Sequence, residues 1–337
     1  MRETLRPYAF AVCLAVITAA VALLVATAYG LPLRDPDGIA GPAVVRLPAI
    51  VLAFLLADVV PRAVRARALR SVVRERLSPQ RLGVIAVGLG SFYVTYVAYR
   101  NLKGALPFAR PEILDSELLR LDRAMALGHE PADVLHALLG TELAAHVLSV
   151  VYLLFLLFVP LSLAAALVWG RGVRAGAYYV TALCLNWVLG TVSYYLVPSL
   201  GPVFVRPGLY ADLPDTGVSA LQESLASTRA EVLADPVGAD AIAGIAGFAS
   251  LHCSIVLTAA LVAGRLGLPL AARVSAWAFF ALTVVATTYF GWHYVVDDVA
   301  GVAIGVAAVV LAERATGWRQ DEPTSPGRER LPEVAAT

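Results

Sequence analysis

"TYFGWHYVVDDVAGVAIGVAAVVLA", residues 288–312, joins a turn carrying one histidine and two aspartates to a long apolar run. From about 295 to 313 the residues are almost all apolar. At 1.5 Å per helical residue such a run approaches the roughly 30 Å of a bilayer's hydrocarbon core. Working outward, seven more runs of this kind stand at about 8–30, 43–60, 82–99, 144–169, 176–198, 248–264 and 274–291. The 337-residue chain is 59% hydrophobic and only 15% charged, which no ordinary soluble domain matches. The reading is an all-α integral membrane protein with about eight transmembrane helices. A soluble enzyme is excluded, and a net charge of +1 gives no reason to expect nucleic acid as a partner. The three cysteines, Cys13, Cys184 and Cys253, lie in or beside apolar runs and suggest no disulfide framework. The first run, about Tyr8–Tyr29, is too long for a signal core, and no convincing small-residue cleavage site follows it, so it is expected to stay as a span.

Basic residues set the expected orientation. The loop after the second span holds Arg62, Arg65, Arg67, Arg70, Arg74, Arg76 and Arg81 against the single acid Glu75. Arg171 and Arg174 follow span four, and Arg265 and Arg273 follow span six. Eight spans put all three loops on one side, which is predicted to be cytoplasmic together with both termini. The outer side then receives the segments 100–143 and 199–247 and the turn near 291–294. "DSELLRLDRAMALG" and "PADVLHALLG" in the first of these segments have apolar residues at helical spacing, predicting short amphipathic helices at the interface or capping the bundle. The tail from about 315 to 337 is polar and predicted to be disordered.

Two histidines stand apart from the other three. His129, His136 and His146 fall in or beside the outer amphipathic helices and are read as structural or interfacial. His252, in "FASLHCS" (248–254), opens span six from the outside, and His293 lies in the outer turn between spans seven and eight. Two distant segments thus bring a histidine to the same depth, where ionisable groups are costly and usually functional. The spacing of "HYVVD" puts His293 and Asp297 on one helix face. A carboxylate there can fix the imidazole tautomer and leave the other ring nitrogen free to attack or to bind metal. His252 sits at a helix N-terminus, which favours anions and phosphate above all. Two histidines, one carboxylate and an anion-binding helix end suggest phosphoryl chemistry, with one histidine as nucleophile and the other as general acid. A zinc site built from His252, His293 and Asp297 is the geometric alternative. Asp298 is read as a helix-start charge and Cys253 as packing.

"TYFGWHYVVDDVAG" (288–301) and "ASLH" (249–252) resemble the last two motifs of the type 2 phosphatidic acid phosphatase superfamily of lipid phosphatases and phosphotransferases, SR-x5-H-x3-D and PSGH. Ala286 and Thr287 replace the Ser-Arg pair, while Ala249 and Leu251 replace Pro and Gly. Ser-Leu-His is the form of the inositol phosphorylceramide synthase-like branch, so the resemblance leans towards an inositolphosphotransferase. It covers roughly residues 82–312. It implies a six-helix catalytic domain over 82–314, preceded by two added helices and a basic loop over 1–81. It also implies that His293 forms a phosphohistidine, that Asp297 orients it, that His252 protonates the leaving oxygen, and that no metal or other cofactor is needed. The family's first motif, K-x6-RP, is matched by "KGALPFARP" (103–111), which uses Lys103, the only lysine. In the family this motif usually stands just before the middle one, and there the chain has "YYLVPSLGPVFVRPG" (194–208), with Ser199 in place of lysine. Lys103, Arg110 or Arg206, together with the Ser250 hydroxyl, are the expected phosphate ligands, and Arg206 is preferred as nearest the histidines. The implied partners are a lipid or polyprenyl phosphate substrate, an alcohol or water as acceptor, and membrane lipids. The implied location is the plasma membrane, as a multi-pass protein with its active site on the extracytoplasmic side. A phosphatase with water as acceptor and a non-catalytic lipid-binding or transport protein stay open as alternatives.

Overall fold

A computed structural model of the protein describes residues 2–36 and 41–319, and its regular structure there is helical. The long helices are α1 (Ala9–Tyr29), α2 (Ala43–Ala66) and α3 (Pro79–Ala109). Two short helices, α4 (Asp115–Met125) and α5 (Pro131–Leu139), come next. They are followed by α6 (Leu143–Trp169), α7 (Val173–Leu196) and α8 (Gly217–Ala234). The chain continues with α9 (Leu251–Arg265), α10 (Leu270–Tyr289) and α11 (Val295–Thr316). Among the described residues, seven helices are long and apolar enough to cross a membrane, and α9 is a shorter apolar one. The expected all-α multi-pass membrane protein with about eight spans is what the structure shows.

Helix α7 is the axis of the bundle, with 83% of its most apolar window buried inside the protein against 28% for α6. It packs against α3, α9 and α11, and α1 covers α3 from outside. Helix α2 lies against α6, and α10 bridges α6 and α9. Leu52, Leu56 and Val60 on α2, like Leu154 and Leu157 on α6, stay exposed. Those faces suit lipid, in which an exposed leucine costs nothing. Buried polar side chains in the spans are returned to the backbone or to each other. Thr95 bonds the Ser91 carbonyl at 2.8 Å, and Asn186 of α7 bonds Thr258 of α9 at 2.9 Å.

Two boundaries differ from the sequence reading. The third span continues to Ala109, so Lys103 lies within a helix and not in an outer loop. Leu102, Ala105 and Leu106 are buried there, and their burial keeps the helix going past the end of the apolar run. Pro107 has no N–H to offer the Lys103 carbonyl, so the helix lacks one backbone bond just before its end. At the other end of the chain, α11 runs to Thr316, and the rest of the predicted disordered tail, from 320 on, lies outside the described residues. The two amphipathic helices do form, as α4 and α5, and pack against α11 and α10.

Candidate active site

The site is assembled where α9 begins and where α10 turns into α11. Ser250 is the N-cap of α9, its hydroxyl accepting from the Cys253 N–H at 3.4 Å. His252 follows in the first turn. Helix α10 ends at Tyr289, the chain turns through Gly291 at φ +65°, and His293 stands two residues before α11 starts. His293 and Asp297 therefore do not share a helix face. They straddle the helix start, with Asp297 Oδ2 accepting the Tyr294 N–H at 3.0 Å as part of a capping box. The spacing of four still brings the side chains together, because an N-cap turn folds back on the first helical turn.

Small residues let α9 and α11 approach. A Cβ on Gly301 would stand 2.4 Å from the Ser250 carbonyl oxygen, and one on Gly305 would stand 2.7 Å from that of Ser254. Glycines spaced in this way allow backbones to touch inside a membrane. The close approach places His293 Nε2 3.4 Å from His252 Nδ1. On the other edge of the ring, His293 Nδ1 lies 3.4 Å from Asp297 Oδ2, at ion-pair distance but outside hydrogen-bond alignment. His252 is held between aromatic rings, stacked on Tyr152 at 4.6 Å and against Phe155 at 4.2 Å, and Tyr152 in turn stacks on Trp292. His293 is 5% exposed and Asp297 fully buried. Burial pushes the His293 imidazole down to about 4, partly offset by Asp298, so the ring is neutral at pH 7 and carries a free lone pair. Trp292 Nε1, His293 Nδ1 and Asp297 Oδ1 are all buried without a hydrogen-bond partner. Orphaned polar atoms are rare in folded proteins, and His293 and its neighbour Asp297 each carry one.

The expected phosphate ligands are distributed unevenly. Lys103 sits 5.1 Å over the Tyr194 ring, with no acidic partner among the described residues, and its charge acts on both imidazoles. Arg206 lines the same crevice as His293 but is ion-paired with Glu130, which also holds Arg123. Arg110 is turned away, donating to the Tyr195 carbonyl and pairing with Glu112 at 3.4 Å. Ser250 is fully buried, and its hydroxyl is spent on the helix cap and on Asp298. The crevice beside His293 measures about 10 Å³, room for about one water. Among the described residues, no three His, Cys, Asp or Glu side chains come together in a way that could hold a metal ion.

Two features were not anticipated from sequence. Asp298 stands in the first turn of α11, the helix-start acid expected, but it is buried and bonded to side chains. It is 4% exposed and accepts from Cys253 Sγ at 2.9 Å, Thr287 Oγ1 at 3.0 Å and Thr288 Oγ1 at 3.3 Å. Thr287, which stands where the family motif has arginine, is thus joined to the acid one place beyond the motif aspartate. The second feature is a buried acidic clamp on α4. Asp122 takes the Val295 and Val296 N–H groups at 2.8 and 3.0 Å, capping α11 from outside its own chain segment. Asp115, seven residues earlier and on the same helix face, takes the Leu200 and Gly201 N–H groups and the Tyr294 hydroxyl. The seven-residue spacing of the two aspartates was the available signal. His136 bonds the Tyr289 carbonyl at 2.9 Å, the structural role expected of it.

The sequence model of the PAP2 superfamily matches residues 116–311, more than half of the chain. No curated protein and no solved structure matches it.

Proposed function

The chain belongs to the PAP2 superfamily, whose members are generally phosphatases and phosphotransferases, and we propose that it is a lipid phosphotransferase working through a phosphohistidine on His293. The observation that carries this reading is the facing pair of imidazoles, ring nitrogens 3.4 Å apart, with Asp297 behind one of them and Lys103, without an acidic partner among the described residues, near enough for its charge to act on both. In the first half-reaction His293 Nε2 attacks phosphorus and the bond from phosphorus to the lipid's leaving oxygen breaks. His252 gives that oxygen a proton, and the bound phosphate's negative charge favours the protonated ring beforehand. Asp297 balances the positive charge that the phosphorylated His293 acquires. Lys103 neutralises the equatorial phosphate oxygens. In the second half, the acceptor hydroxyl attacks the phosphohistidine, the P–N bond breaks, and His252 takes back a proton.

Ser250 and Asp298 are assigned positioning roles, holding the start of α9 against α11 so that the histidines stay in reach. The branch resembling inositol phosphorylceramide synthases, with an alcohol acceptor, rests on Ser250-Leu251-His252; the acceptor site lies in the plasma membrane on the extracytoplasmic side. The test is turnover of radiolabelled phospholipids and polyprenyl phosphates by purified protein, with and without candidate acceptor alcohols. Products carrying the phosphoryl group on the alcohol are expected, with acid-labile, base-stable label on the native protein and none on His293→Ala. Release of free phosphate alone would replace transferase by phosphatase, and absence of any label on the protein would overturn the phosphohistidine.

A further inference from the structure

At the end of the bundle opposite the histidines, a cavity of about 420 Å³ lies between α3, α6 and α7 and the residues before α1. It is forty times roomier than the crevice at His293. Its charged lining consists of Arg62, Arg76 and Arg81, with no carboxylate among the residues that line it. The one acid in contact, Asp58, stands fully buried behind the arginines and pairs with all three. One negative charge against three leaves the wall with a net charge of about +2. Asp58 does not exhaust the donors: Arg62 engages it and its carbonyl through Nη1 alone, and Arg76 through Nε and Nη2. Arg62 Nη2 and Arg76 Nη1 stay available.

Two long helices also begin at this cavity. Ser78, Gln80 and Arg81 are the cap and first turn of α3, and Gly172, Val173 and Gly176 are those of α7. Both present the positive end of their dipoles to the same space. The remaining wall is apolar, built from Val84, Ile85, Leu167 and Trp169. Trp169 is half exposed and packs on Phe54 at 4.6 Å, an arrangement suited to the level where headgroups meet acyl chains. A cationic pocket with an oily wall at the rim of a membrane bundle fits a ligand that is anionic at one end and apolar at the other.

We propose that this cavity is a second lipid site, separate from the catalytic one, which binds the phosphate headgroup of an anionic phospholipid. Position 81 and position 103 are both on α3, and the 22 residues between them span roughly 33 Å at 1.5 Å per residue, so one lipid headgroup does not reach both ends. The arginines favour a net negative headgroup and disfavour one carrying a choline cation.

The experiment is thermal unfolding of the full-length protein in detergent with three probes: dioleoylphosphatidylglycerol, dioleoylphosphatidylcholine and inorganic phosphate. A ligand that binds only the folded state raises the unfolding temperature. Phosphatidylglycerol should do so, phosphatidylcholine much less. The Arg62→Gln/Arg76→Gln pair should lose the rise. Because those arginines also hold Asp58, Ser78→Asp is the second variant: aspartate caps a helix as well as serine does, but it puts a carboxylate into the cavity and should abolish the rise without lowering the unfolding temperature of the lipid-free protein. Lys103→Gln, at the catalytic end, should keep it. An equal rise with both lipids, a rise undiminished in Ser78→Asp, or a rise lost in Lys103→Gln would overturn the proposal. A full effect from millimolar inorganic phosphate would overturn the lipid as ligand.

Discussion

The two histidines are expected to fail in different ways when replaced. His293→Ala should abolish turnover and trap no intermediate, because nothing remains to carry the phosphoryl group. His252→Ala should slow a substrate with an alkoxide leaving group far more than a nitrophenyl ester, whose oxygen leaves without a proton. Equal losses on both substrates, read from steady-state kinetics, would sink that division of roles. Lys103→Gln should lower kcat/KM on the order of 100-fold, the worth of a cation on phosphate in a partly desolvated site. Arg110→Gln should change it little, since Arg110 is engaged with the Tyr195 carbonyl and Glu112. The pH profile carries its own sign. The folded His293 has its pKa depressed to about 4, below the usual value of about 6.5. On a phosphodiester substrate that does not titrate in this range, the acid limb of kcat/KM should therefore fall towards pH 4 and not near 6.5. The same shift makes the unfolded chain the stronger proton binder between those values, so this group's contribution to stability is present above about 6.5 and is lost as pH falls towards 4.

Helix contacts decide whether those side chains meet. Gly301→Val would drive two methyl groups into the Ser250 carbonyl, where even a Cβ would stand at 2.4 Å. It should separate α9 from α11 and reduce kcat by at least tenfold, because a misplacement of about 1 Å can cost 100-fold. Far-ultraviolet circular dichroism should remain that of a helical bundle; full activity in this variant would show that the close approach is dispensable. The clamp from α4 gives a stability prediction. Asp122→Ala would leave the Val295 and Val296 N–H groups without their buried partner, costing roughly 1–3 kcal/mol. A lowered midpoint in thermal unfolding checks it, and an unchanged midpoint would mean that α11 does not depend on this cap.

The orientation of the bundle in its membrane is a prediction from the distribution of arginines, open to direct measurement. In a background with the exposed Cys13 replaced by alanine, a cysteine at position 215 should react with a membrane-impermeant maleimide in intact cells. One at position 70 should react only after the cells are opened. The reverse pattern would put the histidines on the cytoplasmic side. Activity should survive EDTA, since nucleophile, proton donor and cation are all side chains in the proposed reaction; loss on chelation with recovery on adding zinc would move the site to metal-assisted hydrolysis.

Apolar run length is a local property, and it was enough to place eight helices, because a bilayer demands an uninterrupted helix wherever lipid is met. The pairing of His252 with His293 was legible for the same reason: both lie at span ends at one end of the bundle, and depth along the bundle is a coordinate that sequence carries. Lys103 was found by its spacing to Arg110, yet only the fold separates the two, turning one towards the imidazoles and the other to the end of α7. The partners of Asp298 could not be read, since a carboxylate looks available until the packing of α9 on α11 shows that it collects Cys253, Thr287 and Thr288. The same holds for Asp115 and Asp122, whose partners lie 85 to 179 residues away along the chain. Helix formation and membrane depth depend on neighbours in sequence and on the solvent, and these the amino-acid sequence determined alone. Which donor meets which acceptor depends on how helices pack against each other, and that only the tertiary structure decided.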